Sequence, residues 1–159
     1  MGLSNKKLNE GCAQGNASWL NELDYHFQSQ LGLCNALEKI ADALPANVDK
    51  QECLYVARSI YPVVKSAHEY EEKTVFPNLQ QMDNTSFEYN TLDRLHAEHW
   101  EDESYAEEIQ DALIQFVIHP DVSNPDTLGY MLRGFFEGMR RHIAFEQNFF
   151  PQCLNPSIS

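Results

Sequence analysis

Apolar residues recur at spacings of three and four along most of this chain, which is the period of an amphipathic helix. The first such stripe comprises Leu20, Leu23, Phe27, Leu33, Leu37 and Ile40. No stretch alternates convincingly between apolar and polar residues, as a half-buried strand would. The pattern therefore predicts an all-α protein.

Prolines and capping residues divide the helical pattern into four segments. The predicted helices run from Ser18 to Leu44, from Asp49 to Phe76, from about Asn84 to Val117, and from the Asn124-Pro125-Asp126 cap region to Phe150. Pro62 lies inside the second segment, so we expect a kink or a break there. Four amphipathic helices joined by short loops predict an antiparallel up-and-down four-helix bundle. We assign residues 1–17 to a flexible leader, 18–152 to the bundle and 153–159 to a tail.

An internal repeat lies at the ends of the second and fourth predicted helices. The segments HEYEEKTVFP, from His68, and HIAFEQNFFP, from His142, both read H-x-x-x-E-x-x-x-F-P. In an up-and-down bundle the second and fourth helices run in the same direction, so both motifs lie at one end. A spacing of four residues places His68 with Glu72, and His142 with Glu146, on one helix face.

The other two helices carry similar residues. His99 and Glu103 form a third pair of the same spacing, and the first helix offers His26 with Gln30 at the matching offset. Apolar residues continue each stripe in both directions, so we expect these side chains to point into the core. His96 lies off the stripe of His99, which makes it a weaker alternative to Glu103.

Inward carboxylates need a compensating partner, because an unpaired buried charge costs several kcal/mol or more. A single inward histidine or a single surface pair needs no metal, but neither explanation covers seven inward residues on four stripes. They are His26, His68, Glu72, His99, Glu103, His142 and Glu146. Imidazole and carboxylate ligands favour iron, with manganese or zinc as rivals, and carboxylates from two helices can bridge two metals. We predict a two-metal centre bridged by Glu72 and Glu146.

Composition narrows the functional classes further. The net charge of −13 argues against a nucleic-acid partner, since phosphates need a basic surface. No run of residues is apolar enough for a membrane span, and the polar N-terminus lacks the apolar centre of a secretory signal. Four scattered cysteines without a C-x-x-C pair favour a reducing, cytoplasmic location over a thiolate zinc site.

The segments HEYEEKTVFP, RLHAEHWEDE and RHIAFEQNFFP resemble those of the hemerythrin-like, HHE cation-binding proteins, over about residues 18–152. The resemblance implies an oxo- or hydroxo-bridged di-iron centre that binds oxygen or related small molecules. It assigns ligand positions to His26, His68, His99 and His142, and bridging positions to Glu72 and Glu146.

The chain departs from the oxygen carriers of that family in two ways. Leu95 stands where they have a second histidine of the third helix, and Glu146 lies four residues after His142 where they use a longer step to aspartate. An extra carboxylate, Glu103, would make the centre richer in oxygen ligands. Three functions therefore stay open: binding of oxygen or nitric oxide, enzymatic consumption of peroxide, and iron storage or sensing. A sensing role would require a partner protein.

Overall fold

The computed structural model describes the backbone of residues 7–81 and 89–154, and the side chains of residues 18–81 and 90–153. Within those ranges every regular element is helical. The elements are α1 (Lys7–Ala43), α2 (Lys50–Tyr70), a π-helical turn (Glu71–Val75), α3 (Phe76–Gln80), α4 (Tyr89–Ile118), a 3₁₀ turn (Pro120–Val122) and α5 (Pro125–Leu154). The backbone stays helical from α2 through the π-helical turn into α3, so these three elements form one rod.

The four rods pack against their neighbours in chain order. α1 contacts α2 and α5, and α4 contacts the same two helices from the other side. Sequential contacts of this kind define an up-and-down bundle. The core between the rods is apolar and closed to solvent, with fully buried residues that include Leu37, Ile60, Leu95, Ile109, Leu113 and Leu132. The predicted all-α four-helix bundle is therefore confirmed.

Several predicted boundaries match and others differ. α1 ends at Ala43, beside the predicted stop at Leu44, while Asn124 accepts hydrogen bonds from the backbone N–H groups at the start of α5. α1 begins at Lys7, earlier than the predicted start at Ser18, and α5 continues past Phe150 to Leu154. The predicted start at Asn84 lies outside the described residues. The division into leader, bundle and tail stays a prediction.

Two prolines are tolerated inside the second rod. α2 passes Pro62 without a break, and the nearby Tyr61 N–H bonds the Gln110 side chain of α4 at 3.4 Å. Pro77 was expected to end the rod, but helix α3 continues to Gln80. Pro77 lies in the first turn of α3, just after the π-helical turn, and the first turn of a helix tolerates a residue that lacks the N–H donor.

Within the described ranges, no helix is both long and apolar enough to span a bilayer.

Asp49 caps the second rod and gives a first testable prediction. Its carboxylate accepts hydrogen bonds from the N–H groups of Gln51 and Glu52, at 3.0 and 3.1 Å. Asp49→Ala leaves these donors without a side-chain acceptor and should lower the free energy of unfolding by about 1 kcal/mol. Urea denaturation of the metal-free protein measures the change. Asp24→Ala, at an exposed site within α1, should change it by less than about 0.5 kcal/mol.

Candidate metal centre

Five polar side chains meet inside the apolar core at one end of the bundle. His68 and Glu71 come from the second rod, His99 from α4, and His142 and Glu146 from α5. Glu71, His99 and Glu146 are each only 1 % exposed, and His68 is 3 % exposed. We call these five residues the inner cluster. Buried imidazoles and carboxylates at this density need compensation by protons or by a cation.

Two atoms of the inner cluster lie close together without a hydrogen bond between them. His99 Nε2 lies 2.8 Å from Glu71 Oε2, yet neither atom has a hydrogen-bond partner within the described part of the chain. Adjacent ligands of one ion, at bond lengths of about 2.1 Å and right angles, lie about 3 Å apart. The separation of these two atoms therefore fits a shared cation.

Glu146 links the two histidines on neighbouring helices. Its Oε1 contacts His142 Nε2 and lies 3.8 Å from His99 Nε2. One ligand atom from each of these three residues falls within 4.8 Å of the others. The ring of His68 stacks on that of His99, with centroids 3.9 Å apart. The three imidazoles and two carboxylates thus form one continuous group of potential ligands.

Each imidazole of the inner cluster has its Nδ1 against a carboxylate from another helix. His68 Nδ1 lies 3.1 Å from Glu103, and His99 Nδ1 lies 3.1 Å from Glu72. His142 Nδ1 lies 3.2 Å from Asp102.

We call Glu72, Asp102 and Glu103 the outer carboxylates. A carboxylate only accepts hydrogen bonds, so these contacts place a proton on each Nδ1 and leave Nε2 as the nitrogen that could ligate a metal. Metal-binding histidines are commonly held in this way.

The histidines of the metal-free protein differ in protonation. Burial, reinforced by the neighbouring His99, lowers the pKa of His68 to about 2, which leaves its imidazole neutral. Burial also acts to lower the pKa of His99 and His142. Contacts with Glu146 and Glu71 outweigh it for His99, and contacts with Asp102 and Glu146 outweigh it for His142. Both pKa values rise to about 10.

Of the two inner carboxyl groups, one is protonated and the other is ionised in the metal-free protein. Burial, with the negative charge of Glu146 beside it, raises the pKa of Glu71 well above its usual range. Burial acts in the same direction on Glu146, but contacts with Glu71, His142 and His99 outweigh it and lower the pKa of Glu146. Glu71 is therefore the protonated member of the pair in the absence of metal.

The structure brings four of the seven predicted ligands into the inner cluster: His68, His99, His142 and Glu146. His26 is half-buried and stacks on Tyr70, with ring centroids 4.9 Å apart. Within the described residues, no contact joins His26 to the inner cluster. The sequence predicted that His26 points into the shared site, but in the structure it packs on Tyr70 instead.

Glu72 and Glu103 were predicted to face the core, but both side chains are partly exposed. The Glu72 side chain is 31 % exposed and contacts both His99 and the exposed His96, while Glu103 is 17 % exposed. Each is four residues after its histidine and reaches the imidazole of a different helix. The predicted pairs within α2 and α4 are therefore replaced by contacts between these helices.

Sequence reasoning missed Glu71 and Asp102. Each lies three residues after a histidine, and a spacing of three shares a helix face as well as a spacing of four does. The H-x-x-x-E repeat, shared with His142 and Glu146, indicated only the four-residue spacing. In the structure, His68, Glu71 and Val75 lie on the buried face of the rod. The π-helical turn begins at Glu71, and such turns often occur at functional sites.

Comparison with known families agrees with this geometry. Residues 20–153 match the family described as Hemerythrin HHE cation binding domain. The chain therefore belongs to the hemerythrin family, whose HHE domains bind metal cations, typically iron. Searches of curated proteins and of solved structures gave no significant match.

Glu71→Gln should weaken metal binding at least about tenfold, because it removes a buried anionic ligand while keeping the side chain's shape. The metal-free variant should keep its thermal midpoint, since the amide replaces a carboxyl group that is already neutral. Elemental analysis and competition with a chelator measure the loss. Glu69→Gln is the matched control, as Glu69 pairs with Lys73 on the surface of the same rod. Wild-type affinity in Glu71→Gln would exclude Glu71 as a ligand.

Metal binding should release at least two protons per chain at pH 8. His99 and His142, with pKa values of about 10, are protonated there, and ligation requires their neutral forms. Affinity should consequently fall as the pH is lowered. Calorimetric titration in buffers of different ionisation enthalpy counts the protons. Binding without proton release would contradict the assigned protonation of the metal-free site.

Proposed function

We propose that this protein holds two iron ions in the inner cluster and binds oxygen, nitric oxide or peroxide there. The observation that carries the proposal is the convergence of five potential ligands, four of them buried, with His99 Nε2 and Glu71 Oε2 lying 2.8 Å apart and not hydrogen bonded. Nitrogen and carboxylate oxygen ligands without thiolates suit iron, and manganese or zinc would be the alternatives. Membership of a cation-binding family supports the same interpretation.

Two ions fit the ligand set better than one. Glu71 and Glu146 come from different helices, interact directly and are both buried, as two bridging carboxylates would be. The imidazoles of His68, His99 and His142 then supply terminal ligands on either side. This arrangement revises the predicted bridging pair by replacing Glu72 with Glu71, and it assigns Glu72 and Glu103 to positioning the imidazoles.

The proposal that a small molecule binds at the centre rests on a ligand that α1 does not supply. His26 is the ligand expected from α1, but it packs on Tyr70 and away from the inner cluster. Without a ligand from α1, bound ions would be held by the five residues of the inner cluster and could offer open positions to a small molecule. The ring of Phe76 packs against that of His99, with centroids 5.7 Å apart, so an apolar side chain borders the inner cluster. Bound iron supplies the redox chemistry, while the protein sets which molecules reach it.

A peroxide-consuming enzyme is the second candidate function. The exposed His96 lies 3.0 Å from Glu72, and the same Glu72 oxygen contacts His99 in the inner cluster. This line of contacts connects solvent with the cluster and would carry the protons that peroxide chemistry moves. Disproportionation of hydrogen peroxide to water and oxygen needs no outside reductant. Iron storage or sensing has no comparable observation in its favour.

The expected surroundings follow from charge and cysteine chemistry. We propose a cytoplasmic location, because Cys34, Cys53 and Cys153 are free thiols and a reducing compartment keeps them so. The net charge of −13 favours small-molecule ligands over nucleic acids. A protein partner would be required only for a sensing role.

Reconstitution tests the proposed function. Metal-free protein titrated anaerobically with ferrous iron should bind close to two ions per chain, and its thermal midpoint should rise by mass action. Oxygen should then produce charge-transfer bands in the near ultraviolet. Zinc-loaded protein is the control, since zinc has no redox chemistry and should give no bands. A stoichiometry of one ion, or none, would contradict the two-iron proposal.

The same samples separate the two candidate functions. Bands that disappear on removing oxygen and return on adding it would establish reversible binding. Irreversible oxidation, combined with rapid loss of added peroxide, would establish the enzyme instead. His96→Phe should slow peroxide loss without changing iron content if the contacts through Glu72 carry protons.

A further inference from the structure

Lys65 lies in a chain of contacts that ends at the inner cluster. Its Nζ is 3.2 Å from Glu103 Oε2, while the other oxygen of that carboxylate is 3.1 Å from His68 Nδ1. The Lys65 side chain is 41 % exposed, Glu103 is 17 % exposed and His68 is 4 % exposed. The chain therefore runs from the surface to the centre of the bundle.

We propose that Lys65 is a positioning residue that holds Glu103 as the hydrogen-bond acceptor of His68. The inference rests on the proposed metal centre. One oxygen of Glu103 binds the ammonium and the other accepts from the imidazole, so both oxygens are engaged by side chains. With its Nδ1 proton fixed, His68 presents Nε2 as its only free ring nitrogen.

The other outer carboxylates lack a comparable anchor within the described residues. Glu72 contacts two imidazoles, and Asp102 contacts His142 with 32 % of its side chain exposed. Only Glu103 is paired with a lysine, whose charge is permanent near neutral pH.

The sign of the effect of Lys65→Met distinguishes positioning from simple electrostatics. Removing a positive charge near a cation site should tighten metal binding if charge alone matters. Loss of positioning should weaken it instead, because Glu103 is released and His68 loses its fixed tautomer. We expect about tenfold weaker iron binding in Lys65→Met, measured by chelator competition, and recovery of most of that loss in Lys65→Arg.

Lys73→Met is the matched control. Lys73 is on the same rod and pairs with the exposed Glu69, so the substitution changes the net charge equally without touching Glu103. It should leave affinity unchanged or slightly tighter. In a Glu103→Gln background, Lys65→Met should have no further effect, because the two residues act in one chain. Full additivity of the two substitutions would overturn the proposal.

An experiment on the metal-free protein also tests the positioning role of Lys65. Nitrogen NMR of the metal-free protein should show His68 as the neutral Nδ1–H tautomer in the wild type, and a mixture of tautomers in Lys65→Met. An unchanged tautomer, or tighter iron binding in Lys65→Met, would overturn the positioning role. Failure of wild-type protein to bind iron would instead contradict the proposed function, so the two failures are distinguishable.

Discussion

Burial of acids and imidazoles among apolar side chains is the constraint on which the rest of this structure depends. An ionised carboxylate in such a core costs several kcal/mol unless it is paired. Glu71 and Glu146 meet this cost in the metal-free protein through a shared proton and the protonated His99 and His142. A cation can replace all of these protons at once, so metal binding and proton loss are two descriptions of one equilibrium.

Pairing across helices, more than pairing within a helix, satisfies that constraint. Glu72 of the second rod reaches His99 of α4, while Glu103 of α4 reaches back to His68. These reciprocal contacts tie α2 to α4 at the level of the inner cluster. Only His142 and Glu146 keep their contact within one helix. The site therefore depends on the packing of the bundle, and the bundle in turn gains polar contacts that fix the relative heights of its helices.

The helical periodicity of the sequence predicted both the fold and the end of the bundle at which the site lies. Apolar stripes, prolines and caps were sufficient for four helices, and the H-x-x-x-E repeat marked the end of the bundle where the ligands meet. Periodicity could not choose between Glu71 and Glu72, because residues three and four positions along a helix share its face. It also could not show that His26 packs on Tyr70, since inward direction on a stripe does not specify depth along the bundle.

Some acidic residues of the chain contribute to the site as well as to the negative net charge. Within the acidic run from Glu98 to Glu108, three carboxylates approach imidazoles: those of Glu98, Asp102 and Glu103. Negative charge just outside the inner cluster favours the approach of cations and the imidazole protonation seen without metal. A hydrogen-bonded anchor such as Lys65 would hold an outer carboxylate in its contact with an imidazole, so a positive charge near a cation site can help to orient a ligand of that site.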